Sequence, residues 1–163
     1  SNNKARSASA AEALRIAEAM GWQDQRRAFA HYAIGRVIQH EKPREAQQHF
    51  LAAKHFYEAT PGTNLHQAYV AAQLAAFAIT QGEGTQALGL IAPQVEIARQ
   101  HENAALLSTL LLLRAEALDL ENRPSEAQAV RMDSLGWARY GFGSDWAVRA
   151  KLREIASLSP LKG

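Results

Sequence analysis

The strongest constraint on the fold of this chain is a short segment that occurs three times at nearly constant spacing. Residues 42–47 (KPREAQ) return as residues 123–128 (RPSEAQ), and a weaker copy lies between them at residues 84–88 (GTQAL). If the alanines at 46, 87 and 127 are equivalent, successive copies are about 40 residues apart. A fixed period of this length is typical of proteins that stack one supersecondary unit on the next.

The first and third copies also carry a signal for the start of a helix. Pro43 and Pro124 occupy the same place in their copies. Proline is favoured at the first helical position because its missing N–H would have no partner there and its φ is already helical. No segment combines alternating polarity with β-branched enrichment, so no strand is expected. The sequence therefore predicts an all-α fold.

Helical periodicity interrupted by turn residues divides the chain into eight helices within a single domain, residues 1–163. We predict a capping helix over residues 8–20, helix pairs over about residues 25–60, 64–101 and 103–139, and a C-terminal helix over residues 144–158. Asp24 is expected to cap the second helix, and Asn64 with Gln67 resembles a capping box for the fourth. Pro93 falls inside the fifth, where it predicts a kink or two short helices.

The distribution of small and bulky residues resembles the tetratricopeptide repeat over about residues 25–140. That family places a small residue in the first helix of each pair, then alanine, a bulky residue and a small residue in the second. Small residues at the crossing let helix axes approach to about 8–10 Å. The corresponding positions are Gly35, Ala46, Phe50 and Ala53 in the first pair, Ala75, Ala87, Ile91 and Gln94 in the second, and Ala115, Ala127, Arg131 and Ser134 in the third.

The resemblance implies a right-handed stack of about three antiparallel helical hairpins, an α-solenoid, with a capping helix at each end. A period of about 40 residues is similar to the longer-helix variant found in the sensor regions of bacterial regulators. Another kind of stacked helical hairpin is the alternative.

The resemblance also implies a binding surface, because this family forms a concave groove from the first helix of each pair. Such a groove suits a peptide segment or a helix of a partner protein. The lysine- and asparagine-rich clamp of the chaperone-binding members is missing from these positions. The alternative is a groove filled by the protein's own terminal helix or by a second copy. The corresponding residues here are Phe29, Tyr32, Arg36, Gln39, Tyr69, Ala72, Ala76, Thr109, Leu112, Glu116 and Asp119.

Composition gives little support for catalysis, metal binding or nucleic-acid binding. The chain has no cysteine, a formal charge of +2, and six histidines without an HExxH pair. It contains neither the GxSxG motif of a nucleophilic serine nor a glycine-rich phosphate loop. Its uninterrupted apolar runs, such as residues 110–113, are far below the roughly 20 residues of a membrane span. We therefore expect no enzyme activity, no metal or cofactor, no nucleic-acid partner and no membrane span.

Two side-chain groups leave alternatives open. Glu116 and Asp119 could form a carboxylate pair for proton transfer, although a solvated helix face is the more common arrangement. Aromatic residues near the C-terminal end could wall a pocket for an apolar ligand or cover the last helix pair. These aromatic residues are Trp137, Tyr140, Phe142 and Trp146.

The sequence thus predicts a non-enzymatic interaction scaffold that binds a peptide or helix. The alternative function is a ligand- or peptide-sensing domain of a bacterial regulator. The sequence does not specify the partner, whether the protein forms a homo-oligomer, or whether it resides in the cytoplasm or the bacterial periplasm.

Overall fold

The computed structural model describes residues 2–143, 149–150 and 153. This part of the chain is all-helical and contains no strand, which confirms the predicted fold class. The predicted C-terminal helix, residues 144–158, lies outside the described residues apart from residues 149, 150 and 153. The helices are α1 (Asn2–Ala19), α2 (Gln25–Ile38), α3 (Pro43–Glu58), α4 (Asn64–Thr80), α5 (Gly84–Gln100), α6 (Ala104–Leu120) and α7 (Pro124–Phe142).

The three copies of the repeated segment begin three helices, as predicted. Pro43 and Pro124 are the first residues of α3 and α7, and Gly84 is the first residue of α5. The side chain of Asp24 caps α2 by accepting a hydrogen bond from the Arg26 N–H at 3.0 Å. These helix starts follow from local chemistry that is visible in the sequence.

Three local predictions need correction. α1 begins at Asn2 instead of residue 8, since no proline or glycine interrupts the segment between them. The capping box at Asn64 is not formed, because the Gln67 side chain donates to the Thr63 hydroxyl and the Tyr57 carbonyl oxygen. The two-helix alternative at Pro93 is wrong, because α5 is one helix with this proline inside it.

The position of Pro93 explains why α5 continues through it. Proline cannot donate to the carbonyl oxygen four residues earlier, which here belongs to Gly89. Both residues are exposed, so water can satisfy that carbonyl oxygen. The missing backbone bond therefore lies on the solvent side of the helix.

The chain forms two compact units, Ser1–Val70 and Ala71–Gly163. In the first unit α1 packs against α2, and α2 packs against α3. In the second unit α5 packs against α6, and α6 packs against α7. The first turns of α4 belong to the first unit and its remaining turns to the second.

The core of the first unit contains a close contact between a small and a bulky residue. Phe50 of α3 is 3% exposed and packs directly on Gly35 of α2. A Cβ atom on Gly35 would lie only 2.7 Å from Cε1 of Phe50, so the ring occupies the space that a side chain would need. Ala46 and Ala53 on the same helix are also buried.

In the second unit α6 and α7 approach closely through small residues. Ala115 and Leu118 of α6 form a buried cluster with Ala127 of α7. The fully buried Ser108 and Ser134 hydrogen-bond to each other, and the Ser134 hydroxyl donates to the Ser108 carbonyl oxygen at 2.8 Å. Because each hydroxyl has a partner, these two polar groups do not weaken the core.

A substitution at Gly89 tests whether α5 needs a glycine beside Pro93. No atom lies within 4 Å of a Cβ atom built on it. Gly89→Ala should therefore raise the free energy of unfolding by about 0.5–1 kcal/mol, since alanine loses less backbone entropy in a helix. Urea denaturation measures the change. A loss of stability would show that α5 needs the backbone freedom of glycine beside Pro93.

Candidate functional site

Three of the predicted groove residues meet in a small aromatic recess of the first unit. The recess has a volume of about 60 Å³. Its lining consists of the predicted residues Phe29, Tyr32 and Tyr69 together with Tyr57 and His66, which were not predicted. We call these five side chains the aromatic recess.

Three helices position the aromatic recess. Phe29 and Tyr32 are three residues apart and therefore share one face of α2. His66 and Tyr69 have the same spacing on the first turns of α4. The ring of Tyr57, near the end of α3, stacks on His66 with ring centroids 5.1 Å apart.

The turn between α3 and α4 is fixed by buried polar contacts. The hydroxyl of Thr63, which is 1% exposed, donates to the Tyr57 carbonyl oxygen at 2.6 Å. The Gln67 side-chain amide donates to the same carbonyl oxygen at 3.3 Å. These bonds hold the first turns of α4 beside the end of α3, so the recess is largely preformed.

The aromatic recess combines a buried floor with an exposed rim. Tyr57 is 2% exposed, and burial raises the pKa of its hydroxyl to about 12, so the group stays protonated at neutral pH. Phe29 is 60% exposed and Tyr69 is 37% exposed. Exposed apolar side chains that line a depression are characteristic of sites where another molecule binds.

A positively charged side chain lies beside the aromatic recess. Exposed Arg36 donates from Nη1 to the Tyr32 hydroxyl at 3.2 Å. Neither α2 nor α4 contains an aspartate or glutamate. The predicted groove residue Gln39 directly follows the C-terminal end of α2 and is half-buried. A carboxylate on a bound molecule would therefore meet an attractive field at Arg36.

The other predicted groove residues belong to the second unit. Ala72, Ala76 and Leu112 are buried, with exposures of 3%, 6% and 7%. Thr109 is half-buried, and its hydroxyl donates back to the Ala105 carbonyl oxygen at 3.0 Å. These four side chains thus offer less contact surface than the aromatic residues of the first unit.

Glu116 and Asp119 of α6 form an ion triad with Arg131 of α7. The Arg131 guanidinium lies 3.3 Å from Glu116 and makes a short contact with Asp119. The hydrogen bond to Asp119 is the largest of the contributions that raise the pKa of Arg131. The triad also explains why Arg131 stands where the resemblance expects an apolar residue. Both carboxylates therefore contact one guanidinium, and the half-buried triad joins α6 to α7.

A larger cavity lies in the second unit beside the end of α7. Its volume is about 680 Å³, within the range of small-molecule sites. Two members of the predicted C-terminal aromatic cluster, Trp137 and Tyr140, contribute to it, whereas Trp146 and the side chain of Phe142 lie outside the described residues. The described lining residues are Ala98, Arg99, Glu102, Asn103, Ala104, Leu107, Trp137 and Tyr140.

A pair of histidines joins α2 and α3 in the first unit. The Nδ1 atoms of His31 and His49 are 2.9 Å apart, and the ring centroids are 5.2 Å apart. Burial and the nearby His49 lower the pKa of His31 to about 4, and burial also lowers the pKa of His49. Both rings are therefore neutral at neutral pH. The two residues are too far apart in the sequence to form a recognisable metal-site spacing.

The described part of the chain lacks two further features. It contains no group of three or more histidine, cysteine, aspartate or glutamate side chains that could hold a metal ion. None of its helices is long and apolar enough to cross a membrane.

Comparisons with known proteins give no family assignment. No protein-family model, curated protein or solved structure matches this chain.

Proposed function

We propose that this protein is a non-enzymatic interaction module that binds a segment of a partner protein at the aromatic recess. The observation that carries the proposal is the exposure of Phe29 and Tyr69 around a preformed depression. Large aromatic side chains are the usual anchors of protein interfaces because they bury much area with little loss of conformational freedom. A preformed site also avoids the ordering cost that a flexible surface has.

The size and charge of the site define the bound segment. A cavity of about 60 Å³ has room for roughly four to six water-sized groups, which corresponds to one aliphatic side chain such as leucine. Arg36 is exposed beside Tyr32, where it can bind a carboxylate of the same segment. The bound segment is therefore a short peptide stretch with an aliphatic anchor next to an acidic residue.

We also propose that the helices form a right-handed, tetratricopeptide-like stack of three hairpins. The equivalent helix starts at Pro43, Gly84 and Pro124 support it, as does the packing of Phe50 on Gly35. In such a stack the first helix of each hairpin faces the binding surface, which agrees with the exposed aromatic face of α2.

Phe29→Ala provides the test of the proposed function. Peptides selected from a random display library on the wild-type protein should carry an aliphatic residue beside an acidic one. Their binding to Phe29→Ala should be at least tenfold weaker by fluorescence anisotropy, since the variant loses one wall of the recess. Leu51→Ala is the matched control, because Leu51 is an exposed apolar residue of the same unit outside the recess.

Two results would contradict the proposed function. One is equal binding of the selected peptides to the wild type and Phe29→Ala. The other is a change from dimer to monomer in Phe29→Ala by light scattering, which would show that a second copy of the chain covers the recess.

The cavity beside α7 favours a second candidate function, the sensing of a small molecule by a regulator domain. Trp137 and Leu107 provide apolar walls, and Arg99 and Glu102 provide charges at the edge. Such a combination fixes the orientation of a ligand while the apolar walls bury it. A screen of metabolites by thermal shift, repeated on Trp137→Ala, distinguishes this candidate from peptide binding at the aromatic recess.

A further inference from the structure

We propose that the Tyr32 hydroxyl and the Arg36 guanidinium together form the subsite for the acidic residue of the bound peptide, an assignment that rests on the proposed function. Tyr32 and Arg36 are four residues apart on α2, so their side chains are neighbours on one face of the helix. The same face carries Phe29, one wall of the aromatic recess. The aliphatic anchor and the carboxylate of the peptide therefore bind along a single helix face.

The hydrogen bond between these two side chains leaves donors for a ligand. The Tyr32 hydroxyl oxygen accepts from Nη1 of Arg36 at 3.2 Å. A phenol that accepts a hydrogen bond still has its own O–H to donate, and a guanidinium has further N–H groups besides the one in use. A carboxylate can accept from both groups at once, because each of its two oxygens has two lone pairs. The pair therefore offers a carboxylate one neutral and one charged donor.

The core of the first unit holds the ring of Tyr32 in place. The ring lies against Phe50, with ring centroids 5.9 Å apart and ring planes tilted by 57°. Phe50 is itself buried and packs on Gly35. Because the Tyr32 ring is held in this way, its hydroxyl restricts the long side chain of Arg36 before a ligand arrives. This restriction reduces the conformational entropy that Arg36 loses on binding.

The neighbouring helices leave the charge of Arg36 to a bound carboxylate. Neither α2 nor α4 contains an aspartate or glutamate. In the first turn of α3, Glu45 pairs with Lys42 at 3.1 Å. At the other end of α3, Glu58 pairs with Lys54, one turn before it. Arg36 is exposed, so a peptide can reach its guanidinium from solvent.

The experiment is a double-mutant cycle between Tyr32 and the acidic residue of a fluorescein-labelled peptide selected on the wild-type protein. The peptide is made in two forms, one with its acidic residue and one with alanine in that place. Tyr32→Phe keeps the ring that walls the recess and removes only the hydroxyl. By fluorescence anisotropy, Tyr32→Phe should bind the acidic form about fivefold or more weakly than the wild type does. Its affinity for the alanine form should stay within about twofold of the wild type.

Tyr140→Phe is the matched control, because it removes the hydroxyl of an exposed tyrosine in the second unit. It should bind both forms of the peptide as the wild type does. If Tyr32→Phe weakens both forms equally, or neither, the hydroxyl does not contact the acidic residue and the subsite is wrong, although the anchor still binds at the aromatic recess. If no peptide is selected, or if Phe29→Ala binds the peptides as well as the wild type, the proposed function fails and the subsite fails with it.

Discussion

Phe50→Ala should lower the free energy of unfolding by about 3–5 kcal/mol, the largest effect of any substitution considered. Phe50 is 3% exposed and fills the space left by Gly35 between α2 and α3. Removal of the ring leaves a cavity that the neighbouring helices can close only in part. Urea denaturation followed by circular dichroism measures the loss, and a change below about 1 kcal/mol would contradict this packing.

A double-mutant cycle separates this contact from a general loss of hydrophobicity. Gly35→Ala alone should destabilise the protein by about 1–3 kcal/mol, because the new methyl group overlaps the Phe50 ring. Gly35→Ala should destabilise the protein less in the background of Phe50→Leu, because leucine leaves that space empty. Additive effects would mean that the two residues do not share the contact described.

Acid should weaken the protein through the His31–His49 pair. The pKa of His31 is 6.5 in the unfolded chain and about 4 in the folded protein, and burial is the main cause. The unfolded state therefore gains its proton first as the pH falls, and stability is lost between about pH 6.5 and pH 4. A shift of this size corresponds to about 3 kcal/mol, which screening at a half-buried site reduces to about 2 kcal/mol.

The comparison of His31→Phe with the wild type isolates this contribution. Glu18, Arg27, Glu45 and His49 are the charged and titratable groups that act on the pair, and carboxylates elsewhere also titrate in acid. Both proteins should therefore lose stability towards about pH 4, but the loss in the wild type should be larger by about 2 kcal/mol. Parallel profiles of unfolding free energy against pH would show that His31 is not held neutral by the fold.

The sequence predicted those features that depend on local chemistry or on periodic small residues. Pro43 and Pro124 marked helix starts because proline is favoured at the first position of a helix. Gly35 and Phe50 were given the small and bulky positions of the first helix pair, and the structure places the Phe50 ring on Gly35. At Asn64 the prediction failed because the buried Thr63–Tyr57 contact, which joins two helices, decides the geometry there.

The parts of the candidate site that were missed depend on contacts between helices. Tyr57 is on α3, whereas the groove had been assigned to the first helix of each pair, so only the packing reveals it in the recess. His31 and His49 are distant in the sequence and meet only because α2 and α3 are antiparallel neighbours. The role of Arg131 was also missed, because it depends on two carboxylates of another helix.

The most direct measurement on the central proposal is a nuclear Overhauser spectrum of the protein with a selected peptide. We expect contacts between the methyl protons of the aliphatic anchor and the ring protons of Phe29, Tyr32 and Tyr69. The peptide carboxylate should at the same time shift the side-chain resonances of Arg36. Contacts of the anchor with Trp137 and Tyr140 instead would place binding at the cavity beside α7 and would contradict binding at the aromatic recess.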